Sequence, residues 1–377
     1  MSLSSTPPRI AIIGCGLGGA ALGLLLERAG FPFTIYEQAP EFLRIGAGIH
    51  LTPNVTRILD SVGVTEQLLQ QGSQPRTFTS RDGRTGEIIA EMPLGEAARE
   101  QYGAPYLTVH RGDFHTAMVG RLPGGKIEFG KRLSTVDVTD GPVVLRFTDG
   151  TAAEADLVVG ADGLSSVVRG QIRGGQPPHF AGQVAYRATV DPRALSQLPP
   201  DDLTKWWLGE RFIIGYYLTR ERDQYYFVAG RDAASWPEEC ASLPASKEAL
   251  LADFADFPAE ARAILQAAKE VRLWPLHERE PDTTWSRGPL VLLGDAGHPM
   301  RPHMAQGAAM AIEDAAVLVR CLRAYGAAAG ATYDHYQQTR AERVAQVQKV
   351  SSENSWMRTP TDPEWVFSYD ALLAPLR

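Results

Sequence analysis

Cysteine is scarce in this chain: Cys15, Cys240 and Cys321 are the only three in 377 residues. They are too few and too far apart for a disulfide framework or a zinc cluster, and they suit a reducing compartment. Positive charge is in deficit, with 37 Lys and Arg against 44 Asp and Glu and a formal net charge of −7. That balance removes the electrostatic basis for binding nucleic acid or an anionic membrane. Long apolar runs are missing too. The most hydrophobic stretch, residues 10–26, is broken by five glycines and runs into Glu27 and Arg28, so no membrane span is expected. The head MSLSSTPPR has no basic segment followed by an apolar core, so no secretory leader is expected either. Repeats of solenoid period and low-complexity tracts are absent. What remains is a cytoplasmic globular protein, long enough for two domains or one elaborated one.

Glycine, by contrast, stands where it carries information. Gly14, Gly16 and Gly19 form G-x-G-x-x-G between the apolar run RIAIIG and a helical pattern ending at Ala29. A second apolar run, FTIYE, then ends in Glu37, about twenty residues further on. Each glycine has a physical task in such a unit. Gly14 permits the tight turn, Gly16 lets backbone N–H groups approach a pyrophosphate, and Gly19 lets helix and strand pack closely. Glu37 is placed to accept from a ribose hydroxyl. The unit predicts a bound dinucleotide but does not distinguish NAD from FAD.

Further along, periodicity predicts a helix across residues 54–72, short strands around the turn SRDGRTGE, and a helix over DFHTAMVGRL. The segments KIEFGKRL, STVDVTD and VVLRFTDG read as antiparallel strands with turns at Asp140-Gly141 and Asp149-Gly150. ADLVVGADG returns to a buried strand. From 178 to 275 the texture becomes aromatic and strand-like, followed by two short helical patterns; a wide sheet face there could bury a flat ligand. A buried strand, a Gly294-Asp295 exit, and two helical patterns close the chain.

The expected architecture is α/β. Residues 1–75, 101–177 and 276–330 make a discontinuous Rossmann-like FAD-binding domain of glutathione-reductase type. Residues 76–100 and 178–275 make an inserted, mainly β-sheet substrate domain, and 331–377 a C-terminal helical segment. FAD is named here because G-x-G-x-x-G, GADG at 160–163 and GD at 294–295 occur together, in order, at predicted strand ends. This trio resembles the single-component flavoprotein aromatic hydroxylases of the p-hydroxybenzoate and salicylate hydroxylase type. Longer stretches, among them GAGIHLTPNV, VHRGDFH, KWW and LLGDAGHPMRPHMAQGAAMAIEDAA, are similar to the subgroup of 6-hydroxynicotinate 3-monooxygenases and the related 3-amino-4-hydroxybenzoate 2-monooxygenases.

The resemblance implies FAD as cofactor and NADH or NADPH as electron donor. It implies hydroxylation of a small aromatic acid by O2 through a flavin C4a-hydroperoxide. The chain has one full nucleotide fingerprint, as in a hydroxylase whose nicotinamide donor visits without a domain of its own. Asp295 would accept from the ribityl chain. The helix starting at Gly307 and Ala308 would point its N-terminus at the flavin. Arg111 matches a flavin-contacting arginine, and Asp162 lies in the segment near both FAD and the nicotinamide donor. His50, Tyr216 and His303 match active-site positions: His50 as a base poised near neutrality, Tyr216 as relay, His303 as substrate holder.

Where the subgroup carries a cysteine and a histidine in its substrate pocket, this chain has Leu203 and Phe212. An unpaired buried polar group costs about 1–3 kcal/mol, so this change favours a benzenoid substrate, a hydroxybenzoate or aminohydroxybenzoate, over a pyridone. Decarboxylative hydroxylation of 6-hydroxynicotinate is the first alternative, and a flavin oxidase or dehydrogenase without oxygen insertion the second. An NAD-dependent dehydrogenase would share the first forty residues but would need neither GADG nor GD. No metal is expected: the prolines in HPMRPH break the spacing of His298 and His303 beside Asp295, and no fourth ligand stands near. A monomer or homodimer is expected.

Overall fold

The run Ile10–Ile13 is buried on both faces, so it needs neighbours on each side. It finds them in two parallel partners, Leu157–Gly160 and Phe33–Tyr36. Leu290–Leu292 extends this sheet in parallel beyond Leu157–Gly160, and the short Ser286–Arg287 closes that edge antiparallel. The computed structural model describes residues 7–44, 47–138, 140–195, 201–237, 242–326 and 329–377. Cys240 and all but the last three residues of the head MSLSSTPPR lie outside them. Against the sheet packs the helix Leu17–Ala29, which in turn lies along the long helix Gly307–Tyr325.

Two local expectations are corrected. The helix expected over 54–72 is two helices, Pro53–Ser61 and Thr65–Gln71, because Gly63 takes φ +73° and no side chain favours that region. KIEFGKRL contributes only Ile127–Glu128, which pairs in parallel with Ile35 and Tyr36 on the edge of the nucleotide sheet. Gly130 at φ +70° turns the chain away before a longer strand can form. The small antiparallel sheet is built instead from Leu133–Asp137, Val143–Phe147 and Ala152–Ala155.

The second large sheet has eight strands. Its middle is the antiparallel series His179–Val190, Tyr225–Asp232, Arg211–Tyr217 and Leu203–Leu208. Thr77–Asp82 joins in parallel beside Leu203–Leu208 and carries Ile88–Pro93 at the edge. Val271–Glu278 flanks the other side, so a boundary at 275 falls inside a strand. Strand alternation gives this sheet two different faces. One bears Trp206, Ile213, Phe227 and Tyr186 and is covered by the helices Lys247–Asp253 and Ala259–Gln266. The other is turned toward the nucleotide sheet. Among the described residues no helix is long and apolar enough to cross a membrane.

Candidate active site

Register on the second sheet sets rows of side chains on the face toward the nucleotide sheet. One row runs Phe78, Leu203, Tyr216, Tyr226; the next runs Lys205, Ile214, Val228, Arg187; a third pairs Trp207 with Phe212. Gly230 stands opposite Phe212, and a Cβ there would lie 2.2 Å from the Phe212 ring, so only glycine leaves that ring its place. Above these rows lies a cavity of about 470 Å³. It runs without interruption from Gly16 and Gly18 of the glycine turn to Phe212, Ile214 and Tyr216 of the sheet. Trp356 and Phe367, from beyond the long helix Ala329–Glu353, close part of its wall.

At its nucleotide end the cavity is shaped for an anion and a sugar. Gly14 takes φ +96°, and a Cβ on it would meet the Ala161 carbonyl oxygen at 2.6 Å. Gly19 sits against the Gly14 carbonyl, where a Cβ would come to 2.1 Å. Gly16 has nothing within 4 Å of its Cβ position, and no side chain caps the helix it begins. The free N–H groups of that first turn therefore face open space, as a pyrophosphate requires. The Glu37 carboxylate accepts from the backbone N–H groups of Cys15 and Ala39, both at 2.8 Å, which fixes it beside the turn with lone pairs to spare.

Further in, Asp295 and Arg111 both face the cavity. Desolvation raises the Asp295 carboxyl from its ordinary value, with His298 and Arg111 opposing; desolvation lowers Arg111, with Asp295 opposing. The Arg111 backbone N–H donates to the Ala47 carbonyl, but its guanidinium has no hydrogen-bond partner among the described residues, so those donors are available to a ligand. Gly307, Ala308 and Ala311 place the uncapped first turn of Gly307–Tyr325 on the same wall. Left-handed Ala305, φ +55°, aims that turn. This set fits FAD: glycine room at the pyrophosphate, a carboxylate for the ribose, Asp295 further along, and a helix N-terminus with Arg111 where negative charge develops. Asp162 is placed differently. Its carboxylate accepts from the Ser166 hydroxyl and from the N–H groups of Val167 and Val168, capping the helix Val167–Arg173. Its neighbours Ala161 and Gly163, not Asp162, line the cavity.

At the sheet end the cavity holds His50, Tyr216, His303 and Phe212 together. His50 Nδ1 is 2.6 Å from the Tyr106 hydroxyl, and its ring meets Tyr216 edge-on at 4.3 Å between centroids. Burial, and then the charge of Lys205, push His50 down to about 3. It is therefore neutral at physiological pH rather than poised near 7. His303 is likewise down to about 3, from burial and Lys205. Both ring nitrogens are buried, and among the described residues only Asn354 approaches them as a polar side chain, without a hydrogen bond of normal geometry. Leu203 corrects an expectation: it is fully buried among core residues between Phe78 and Tyr216 and does not reach the cavity. Phe212 does, standing edge-on to His303 at 5.3 Å.

Cavity residues that the motifs did not single out include Tyr106, Arg187, Trp356, Phe367 and, inside KWW, Lys205. Lys205 left a trace, as a charged residue inside LTKWWL, a strand whose neighbours are all apolar or small. Behind the helix N-terminus lies a buried polar network whose members mostly fall in the stretches GAGIHLTPNV and LLGDAGHPMRPHMAQGAAMAIEDAA, but whose connections no motif showed. Gln306 bonds Thr52 and Asn54, Asn54 donates to Glu313, and Arg340 and Arg343 clamp Glu313. Arg340 and His298 hold Asp314, which accepts from the Gly294 N–H. The network thus ties the GD turn and the start of the long helix into one rigid unit.

The model of the FAD binding domain family matches residues 8–351. A 6-hydroxynicotinate 3-monooxygenase from Bordetella bronchiseptica is 48% identical over 98% of this chain and 97% of its own. A 3-amino-4-hydroxybenzoate 2-monooxygenase from Streptomyces cremeus is 36% identical over 90% of this chain and 85% of its own. Among solved structures, a salicylate hydroxylase substrate complex superposes with a TM-score of 0.85 at 25% identity, covering 98% of this chain and 97% of that one. The cradle and these likenesses agree: the chain belongs to the FAD-binding domain family and is an FAD-dependent monooxygenase supplied with electrons by NAD(P)H.

Proposed function

We propose that this enzyme hydroxylates a small carboxylated hydroxy-aromatic ring of the hydroxybenzoate or aminohydroxybenzoate type. The observation that carries the reading is the single cavity that begins at the glycine cradle and ends on an aromatic sheet face. A flat ring lying on Ile214, Val228 and Phe212 has its edge toward the helix N-terminus. Held by the glycine turn at Gly14, Gly16 and Gly19, by Glu37, Asp295 and Arg111, and by the helix start at Gly307, FAD would supply the redox chemistry that activates O2 with electrons from NAD(P)H. The chain's own residues supply the rest. His50 is neutral and accepts the phenolic proton, while Tyr106 on its Nδ1 fixes the ring and offers the proton a way onward. Attack needs an electron-rich ring, and a phenol is near 10 in water, so this acceptor is required at neutral pH. An anionic substrate beside His50 raises its basicity in the complex, the reverse of what Lys205 does in the free enzyme. His303, whose buried ring nitrogens lack a well-formed hydrogen bond among the described residues, orients a polar substituent. Tyr216, Trp356 and Phe367 keep water out, which protects the activated oxygen from release as peroxide.

Phe212 supports a carbocyclic ring, because it has no atom to pair with a ring nitrogen. The second reading is decarboxylative hydroxylation of 6-hydroxynicotinate, supported by the 48% identity to the Bordetella bronchiseptica enzyme. A panel of 3-amino-4-hydroxybenzoate, 3-hydroxybenzoate and 6-hydroxynicotinate separates them through stimulated NAD(P)H oxidation and product analysis. The highest kcat/KM is expected with a benzoate. A clear preference for 6-hydroxynicotinate with loss of CO2 would establish the second reading instead.

A further inference from the structure

The sheet floor carries a cation whose purpose neither fold nor flavin explains. Lys205 is 2% exposed, lines the cavity, and has no ion-pair or hydrogen-bond partner among the described residues. Its ammonium lies 3.7 Å from the centroid of Trp207 and 4.7 Å from that of Phe212. These faces attract a cation but do not replace its hydration. An isolated buried ammonium is costly, and removing it would stabilise most cores. Burial and nearby Arg358 accordingly press Lys205 well below its ordinary value. Lys205 also acts electrostatically on both His50 and His303, the two candidate polar groups of the site.

We propose that the Lys205 ammonium is the seat of the substrate's carboxylate. This rests on the reading of the cavity as the site of a carboxylated ring. Arg187 is the rival cation. Its backbone stands three strands away in the same row, about 14 Å off at the usual strand spacing, so the two cations rise from opposite ends of the row. Arg187 also lacks an ion pair among the described residues, and its Nε is buried without a partner, but its side chain is only half-buried and stacks over Trp274 at 5.6 Å, whereas Lys205 is 2% exposed among apolar groups. An arriving carboxylate restores the missing countercharge, and the ring then lies over Phe212 and Ile214 with its far side toward His50.

The test compares ligand pairs that differ only in the carboxylate. Holoenzyme is titrated with 3-amino-4-hydroxybenzoate against 2-aminophenol, and with 6-hydroxynicotinate against 2-hydroxypyridine, reading flavin absorbance. In Lys205→Met the Kd of each acid is expected to rise about tenfold or more, while the decarboxylated partners shift less than about twofold. Lys205→Arg recovers part of the selectivity, and Lys205→Gln reads the same ratio should the methionine variant fold poorly. An unchanged acid-to-phenol ratio in these variants overturns the assignment, as does a ratio that collapses in Arg187→Met instead. Carboxylate selectivity that depends on Lys205 without any hydroxylated product would sink the proposed function and leave Lys205 in place. Hydroxylation with an unaltered ratio would do the reverse.

Discussion

His50 is held by two neighbours that act in different ways. Tyr106 shares a 2.6 Å hydrogen bond with Nδ1, and Tyr216 packs edge-on against the ring. Replacing His50 with Gln keeps the size but removes the proton acceptor. Hydroxylated product per NAD(P)H consumed is expected to fall about 100-fold, the usual scale for general acid–base catalysis, while flavin reduction continues and peroxide accumulates. Tyr106→Phe is expected to cost about tenfold, since the acceptor stays but loses its anchor. Equal coupling in all three proteins would remove His50 from the chemistry. The motif GAGIHLTPNV located His50 in the sequence, but its partner lies 56 residues on, in a segment with no pattern of its own. Its electrostatic state was also hidden. A histidine poised near 7 needs water or a carboxylate nearby, and this one has burial and a lysine.

The strand–turn–helix at the start of the chain was legible because backbone sterics write directly into glycine positions. Two substitutions separate its functions. Gly16→Val places its side chain in open space, so a folded protein with little bound flavin is expected. Gly14→Ala forces a Cβ to 2.6 Å from a carbonyl at φ +96°, so a loss of thermal stability is expected as well. Flavin content and melting temperature of the two purified variants check this; full flavin retention in Gly16→Val would mean the pyrophosphate does not lie there. Asp162 shows the limit of such reading. GADG marked the right turn, but the acid caps a helix and the small residues beside it touch the cavity. Pairing along 203–217 was likewise opaque. Leu203 and Phe212 lie on one sheet face, but only the register sets Leu203 between Phe78 and Tyr216 while Phe212 lines the cavity. The Glu313–Arg340 clamp could not be read at all, because its partners sit on two separate helices that read simply as amphipathic.

Across the whole molecule, the order of strand exits made the two-sheet architecture readable, since each glycine-rich exit has to follow a buried parallel strand. The closing of the cavity by Trp356 and Phe367 was not readable, as both come from a tail of mixed polarity. Collecting buried, neutral histidines along that cavity has a consequence for stability. His50 and His303 fall from 6.5 to about 3 on folding, so between those values the unfolded chain binds more protons than the folded one. Stability is therefore full above pH 6.5 and is lost as pH falls toward 3. Below about pH 4 Asp314 adds to the loss: burial alone would raise it, but His298 and Arg340 hold it at about 2. Denaturant midpoints measured from pH 8 to pH 4 are expected to drop steadily below 6.5, and less steeply in His303→Gln. A flat profile through that range would mean the two rings are wet. The claim on which all scales depend is that one continuous cavity joins the cofactor cradle to the aromatic floor. The most direct measurement supplies the holoenzyme with NAD(P)H, a hydroxy-aromatic acid and ¹⁸O2, and weighs the product. One ¹⁸O atom in the ring for each NAD(P)H consumed is the result expected; unlabelled ring with all the oxygen recovered as peroxide would contradict it.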